Sequence, residues 1–85
     1  MTRDEIRDHV IEIACEHLKV ERNKVTEATS FVGDLRADSL TLAELGMDIE
    51  DEFDIDIPEN AAANIGTVGA AVDFVVRQMA AAGSA

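Results

Sequence analysis

Apolar residues recur at intervals of three and four in three separate stretches, the period of a helix with one buried face. The first stretch places Ile6, Val10, Ile13, Ala14 and Leu18 on one side. It opens at Thr2-Arg3-Asp4-Glu5, which fits a capping box, and should end near Lys19. The second stretch runs from about Ser39 to Phe53. The third starts behind Thr67, a good N-cap, and carries Val68, Ala71, Val72, Val75, Val76 and Met79. From Val20 to Asp38 the period is lost, apart from a short turn expected near Glu21 to Lys24. Val25, Phe31, Val32 and Leu35 are the residues expected to anchor this connection to the core. A loop of about 20 residues inside a compact domain is more often functional than accidental. Asp56-Ile57-Pro58-Glu59-Asn60 interrupts the pattern again, and Ala61 to Ile65 suits at most a short helix. The tail from Ala80 to Ala85 is expected to fray. No strand-like alternation competes, so the fold class is all-α: a small four-helix bundle, three main helices and one short one.

The second helix has two distinct sides. At about 100° per residue, Leu42, Leu45, Ile49 and Phe53 fall within about 80° of arc and form the core stripe. Leu40, Glu44, Met47 and Asp51 gather within about 60° on the opposite side. One reading is a docking face, with Leu40 and Met47 inserting into a partner while Glu44, Glu50 and Asp51 meet its Lys or Arg side chains. Scattered exposed apolar residues are also ordinary on protein surfaces, and the spacing alone does not separate the two readings.

Eighty-five residues make one domain, 1–85, with no room for a second core or a large catalytic cleft. Hydrophobic content is 47% but aromatics reach only 4%, so the core must be aliphatic. Eighteen acids against seven bases give a formal charge of -11. That field disfavours nucleic acid and anionic membrane surfaces, and steers the domain towards basic patches on proteins. No stretch approaches the roughly 20 apolar residues of a membrane span, and the charged start is unlike a signal peptide. A cytoplasmic, monomeric protein is expected. Cys15 stands alone, so neither a disulfide framework nor a zinc site is indicated.

Ser39 sits in Ala37-Asp38-Ser39-Leu40, at the start of the two-sided helix. A hydrolase nucleophile would need a base and an oxyanion hole. No G-x-S-x-G elbow is present, and the two histidines, His9 and His17, both belong to the first helix. Catalysis by this chain alone is not expected. A covalent phosphodiester suits the position better, because the amides and dipole of a helix start favour a phosphate. Simple capping by Asp38 and Ser39 would explain these two residues, but not the exposed apolar and acidic side of the helix.

Ala37-Asp38-Ser39-Leu40, with Ser30-Phe31-Val32-Gly33-Asp34-Leu35 before it and Glu44-Leu45 to Pro58 after it, resembles the bacterial-type acyl carrier proteins. The likeness extends from Ile6 to Phe74, is dense between Phe31 and Pro58, and resumes at Ile65, Thr67-Val68 and Ala71 to Phe74. It implies that Ser39 receives 4'-phosphopantetheine from coenzyme A through a carrier-protein synthase, a phosphopantetheinyl transferase. Asp38, Leu40 and Arg36 would form its context. The acidic helix with Leu40, Glu44, Met47, Glu50 and Asp51 would meet acyl synthases, reductases and acyltransferases bearing basic patches. Leu42, Leu45, Gly46, Ile49, Ile57, Ala62 and Ile65 would line a space for an acyl chain. The implied function is carriage of acyl thioesters in fatty-acid or related lipid and polyketide synthesis.

Two positions depart from the family's usual pattern. Arg36 stands where glycine is common, putting a cation three residues from Ser39. Gly46 stands in mid-helix where a branched apolar residue is usual, bordering the core stripe. These changes suggest a specialised carrier, and drift in a general one explains them equally well. Two alternatives stay open. A stand-alone aminoacyl or peptidyl carrier is the nearest, and an unmodified acidic helical adaptor is the blandest. A calcium loop starting at Asp48 fails on spacing, since its sixth position is Phe53 rather than glycine.

Overall fold

The computed structural model describes the backbone of residues 2–83 and the side chains of residues 2–80. Helix α1 spans Arg3–Leu18, α2 spans Ser39–Phe53, α3 spans Glu59–Ala62 and α4 spans Val68–Gly83. A 3₁₀ turn at Arg22–Lys24 follows α1. The helix starts are fixed by side chains. Thr2 Oγ1 accepts from the Glu5 amide at 3.2 Å, and Glu5 Oε1 accepts from the Thr2 amide at 2.8 Å, closing the capping box. Thr67 Oγ1 takes the Ala70 amide at 3.1 Å and starts α4. Lys19 and Asp54 end α1 and α2 in the left-handed conformation.

The core joins α1, α2 and α4. Val10, Val68, Val72 and Val75 are the largest fully buried side chains, with Leu45, Ile49 and Phe53 of α2 closing over them. On α1 the buried set is Ile6, Val10, Ile11 and Ala14, while Ile13 and Leu18 are half-buried. The face is therefore turned towards Ile11, because α1 packs against both α2 and α4 rather than one neighbour.

The connection between α1 and α2 is pinned, not loose. The Phe31 amide donates to the Gly66 carbonyl at 3.1 Å, and Val68 and Gly69 donate to Thr29 and Glu27 at 3.0 and 2.8 Å. The side of Gly69 lies so near the loop that a Cβ would sit 3.0 Å from the Glu27 carbonyl oxygen, a contact tight enough that the loop backbone would have to shift to admit it. Arg3 adds a fork onto Glu27, at 2.7 and 2.9 Å, and a contact to Asp73 at 2.7 Å. Val25 and Phe31 are buried as expected and Leu35 is half-buried, but Val32 is 60% exposed. Ser30 explains that reversal: its amide donates to Asp34 Oδ2 and its hydroxyl oxygen accepts from the Gly33 amide, so a tight turn points Phe31 inward and Val32 outward.

Two boundaries differ from expectation. The short helix is Glu59–Ala62, beginning two residues before the Ala61 expected from composition. Pro58 sets this start, since its carbonyl accepts from both Ala61 and Ala62. Fraying was expected from Ala80, but α4 continues to Gly83. The rest of that tail, Ser84 and Ala85, lies outside the described residues.

Candidate functional site

Ser39 is the first residue of α2, and it is exposed. Asp38 caps the helix: its Oδ1 accepts from the Thr41 amide at 2.8 Å. That amide holds the Asp38 carboxyl below its ordinary range. The Ser39 hydroxyl makes no hydrogen bond among the described residues, so it is exposed at the positive end of the helix without an internal partner. Capping belongs to Asp38, and Ser39 is left over from it.

The segment before Ser39 is held in an unusual shape. The Ala37 amide donates to the Phe31 carbonyl at 2.9 Å, and Ala37 itself is buried. Closing that ring of chain requires a reversal at Arg36, which adopts φ 56°. The other two residues with positive φ, Lys19 and Asp54, are helix C-caps, where this conformation is routine. At Arg36 it costs about 1 kcal/mol relative to glycine. The Arg36 side chain is exposed and makes no ion pair among the described residues.

Beside Ser39 runs a surface groove of about 450 Å³, lined along α2 by Leu42, Ala43, Gly46, Met47 and Glu50 and opposite by Ile57, Glu59, Ala62 and Ala63. Deeper lies an apolar pocket of about 90 Å³. The structure places Leu42, Leu45, Gly46, Ile49, Ile57, Ala62 and Ile65 together around this pocket, with Phe31 and Ala71 completing it. Phe31 and Ala71 escaped the sequence reading as pocket residues because they look like ordinary core anchors of a loop and of α4. Leu42, Gly46, Ile57 and Ala62 line both the groove and the pocket. The two recesses therefore meet along one edge of α2.

The outer side of α2 divides more sharply than its sequence suggests. Leu40 and Met47 are 70% and 54% exposed. Glu44 and Asp51 are exposed beside them and form no ion pair among the described residues. Glu50 is different and corrects its expected place on that face. It is half-buried, and its Oε2 accepts from the Ile57 amide at 2.8 Å, tying the end of α2 to the strand-like segment before α3. Two other acids are also engaged internally. His9 Nδ1 meets Glu52 Oε1 at 2.8 Å, and His17 pairs with Asp48, so both histidines of α1 meet α2 rather than Ser39. Cys15 is half-buried, and burial pushes its thiol up from the ordinary value, away from reactivity.

Among the described residues no helix is long and apolar enough to cross a membrane, and no group of three or more His, Cys, Asp or Glu side chains is placed to hold a metal ion.

Comparison with known proteins brings these features under one heading. Residues 8–75 match the family described as a phosphopantetheine attachment site. The acyl carrier protein of Caulobacter vibrioides is 50% identical over 76 residues, covering 89% of this chain and 97% of that protein. That of Phenylobacterium zucineum is 48% identical over 77 residues, covering 91% and 98%. Among solved structures, an acyl carrier protein from Enterococcus faecalis matches with a TM-score of 0.79 at 40% identity, over 92% of this chain and 99% of that one.

Proposed function

Since the chain belongs to the acyl carrier protein family, whose members hold acyl groups on a phosphopantetheine arm, we propose that Ser39 is the residue that carries this arm. The observation that carries the assignment is the unpartnered, exposed Ser39 hydroxyl at the head of a groove leading to an apolar pocket. The arm supplies a terminal thiol that holds acyl groups as thioesters.

The residues present fit that group. Ser39 Oγ would bond to the phosphorus of coenzyme A's pantetheine phosphate. The adenosine bisphosphate leaves with the broken pyrophosphate bond, and the hydroxyl proton passes to a base of the transferase. Asp38 keeps α2 capped throughout, because its carboxylate holds the Thr41 amide whether or not Ser39 is modified. Arg36, three residues before Ser39 and without an ion pair among the described residues, offsets the repulsion between Asp38 and an added phosphate. Leu42, Ile49, Ile57 and Ile65 give the inner pocket its apolar wall, which shields a chain from water while polar groups stay outside.

Leu40 and Met47, with Glu44 and Asp51 around them, form the surface offered to the transferase and to acyl synthases, reductases and acyltransferases. Apolar anchors set the lifetime of such contacts, and the charges set encounter rate and partner choice. The pathway served is fatty-acid or related lipid and polyketide synthesis. In it the domain presents its cargo and performs no chemistry of its own.

The test is intact mass after incubation with coenzyme A and a promiscuous phosphopantetheinyl transferase. A single phosphopantetheine adduct on wild type, absent from Ser39→Ala, is expected. A folded wild type without the adduct, or an adduct retained by Ser39→Ala, contradicts the assignment.

A further inference from the structure

Two glycines lie inside helices that the core depends on, and the structure explains only one of them. Gly69 is held by close approach, since a Cβ there meets the Glu27 carbonyl oxygen at 3.0 Å. At Gly46 a Cβ would meet nothing within 4 Å. Nor does backbone conformation require glycine at 46, because no glycine among the described residues has positive φ. A mid-helix glycine with neither cause sacrifices helix stability and leaves open space in return.

That space has a definite location. Gly46 is one of four residues lining both the groove that starts at Ser39 and the apolar pocket. Leu42, Ile57 and Ala62 supply the other shared walls, so the side of the passage formed by residue 46 is the one without a side chain. Cargo moving from groove to pocket passes this point. A chain bent or branched where it passes would fill the volume that an ordinary side chain at 46 occupies, and close packing favours a fit of that kind.

We infer that Gly46 is a specificity-determining residue that admits acyl chains carrying a methyl branch beside the thioester. The inference rests on Ser39 bearing the arm, and adds to it the shape of the cargo. A side chain at position 46 narrows the junction for a branched chain and leaves a straight one its path. Glu50, one turn further along α2, holds the Ile57 amide and keeps the opposite wall in place.

The experiment loads wild type, Gly46→Ala and Gly46→Val with hexanoyl or α-methylhexanoyl phosphopantetheine from the corresponding coenzyme A thioesters. Loading is confirmed by intact mass. Two quantities are then read: the melting temperature of the unloaded protein, and the half-life of each thioester against hydroxylamine. Unloaded Gly46→Ala should melt about 4–8 °C higher than wild type, the gain from helix propensity in a domain of this size with no clash to offset it. Wild type should protect both thioesters alike. Gly46→Val should shorten the branched thioester's half-life by about tenfold and leave the straight one unchanged, as expected when one methyl-sized group no longer fits. A fall in melting temperature for Gly46→Ala would make the glycine structural and overturn the inference. So would loaded proteins whose branched-to-straight ratio is the same in all three variants. Absence of any adduct on wild type would instead remove the arm from Ser39 and take the inference with it. The mass measurement separates that failure from the other two.

Discussion

Where α1 meets α4, Val10, Ala14, Val68 and Val72 retain no exposure at all. Between α2 and α3, Leu42, Ile57 and Ile65 are only half-buried and Ala62 is exposed, and a pocket of about 90 Å³ separates them. The short helix α3 has no buried residue and no side-chain cap. One side of the bundle is thus close-packed, while the other is a shell of apolar side chains around a space. Since stability need not be uniform, opening the second side is expected to cost less than opening the first. The close-packed side also anchors the long loop, through Arg3, Glu27 and the backbone bonds to the start of α4, and so fixes where Ser39 stands.

The comparison breaks most readily through core truncation. Ile6→Ala, in the close-packed half, should lower unfolding free energy by about 2–5 kcal/mol in urea denaturation. Ile57→Ala, on the pocket wall, should cost less than half as much, because a half-buried side chain loses fewer contacts. Equal losses would mean that the two halves are packed alike. The outer side of α2 is next in size. Leu40→Ala combined with Met47→Ala should leave stability within about 0.5 kcal/mol, as surface changes do. The same double substitution should weaken binding to a phosphopantetheinyl transferase by roughly 5- to 30-fold, the effect of losing 1–2 kcal/mol of apolar anchor.

Arg36→Gly should raise unfolding free energy by about 1 kcal/mol, since glycine adopts φ 56° without strain. No gain in thermal denaturation would mean that the Arg36 side chain contributes stabilising contacts of its own. The smallest effects are electrostatic. Salt should raise the melting temperature by screening the -11 charge, and a fall would contradict this. The pH dependence has two opposing parts. Glu27, paired with Arg3, Glu5 in the capping box and Asp38 on Thr41 all have carboxyls depressed in the folded state. Their contribution is complete above the unfolded carboxylate range and is lost as pH falls through the folded values. Repulsion, in contrast, eases as pH falls towards 4.3. The melting temperature should therefore peak near pH 5 or slightly above and drop steeply below about pH 4.

Much of the close-packed half was legible in the sequence, because there burial and period are the same signal. The capping box at Thr2, the stripe from Val68 to Met79 and the limits of α2 at Ser39 and Phe53 follow from side-chain type and spacing alone. The α1 stripe omitted Ile11, since two packing neighbours widen the buried arc beyond a single stripe. Loop residues carry no period, so Val32 looked like an anchor until the Ser30–Asp34 turn showed which way it points. Glu50 looked like a member of the acidic face because charge does not reveal a backbone partner seven residues away. The histidine–carboxylate pairs of α1 and α2 were equally hidden, being contacts between helices. Ser39, Asp38 and Leu40 stood out through a short motif. That Arg36 lies at positive φ was legible only as the absence of an expected glycine.

The division between a rigid half and a containing half is tested most directly by amide hydrogen exchange, residue by residue, on the Ser39-linked phosphopantetheine form with and without a hexanoyl group. The expected result is added protection confined to residues 42–49 of α2 and residues 57–65, with α1 and α4 unchanged. Added protection centred on α1 and α4, or none between α2 and α3, would contradict the account.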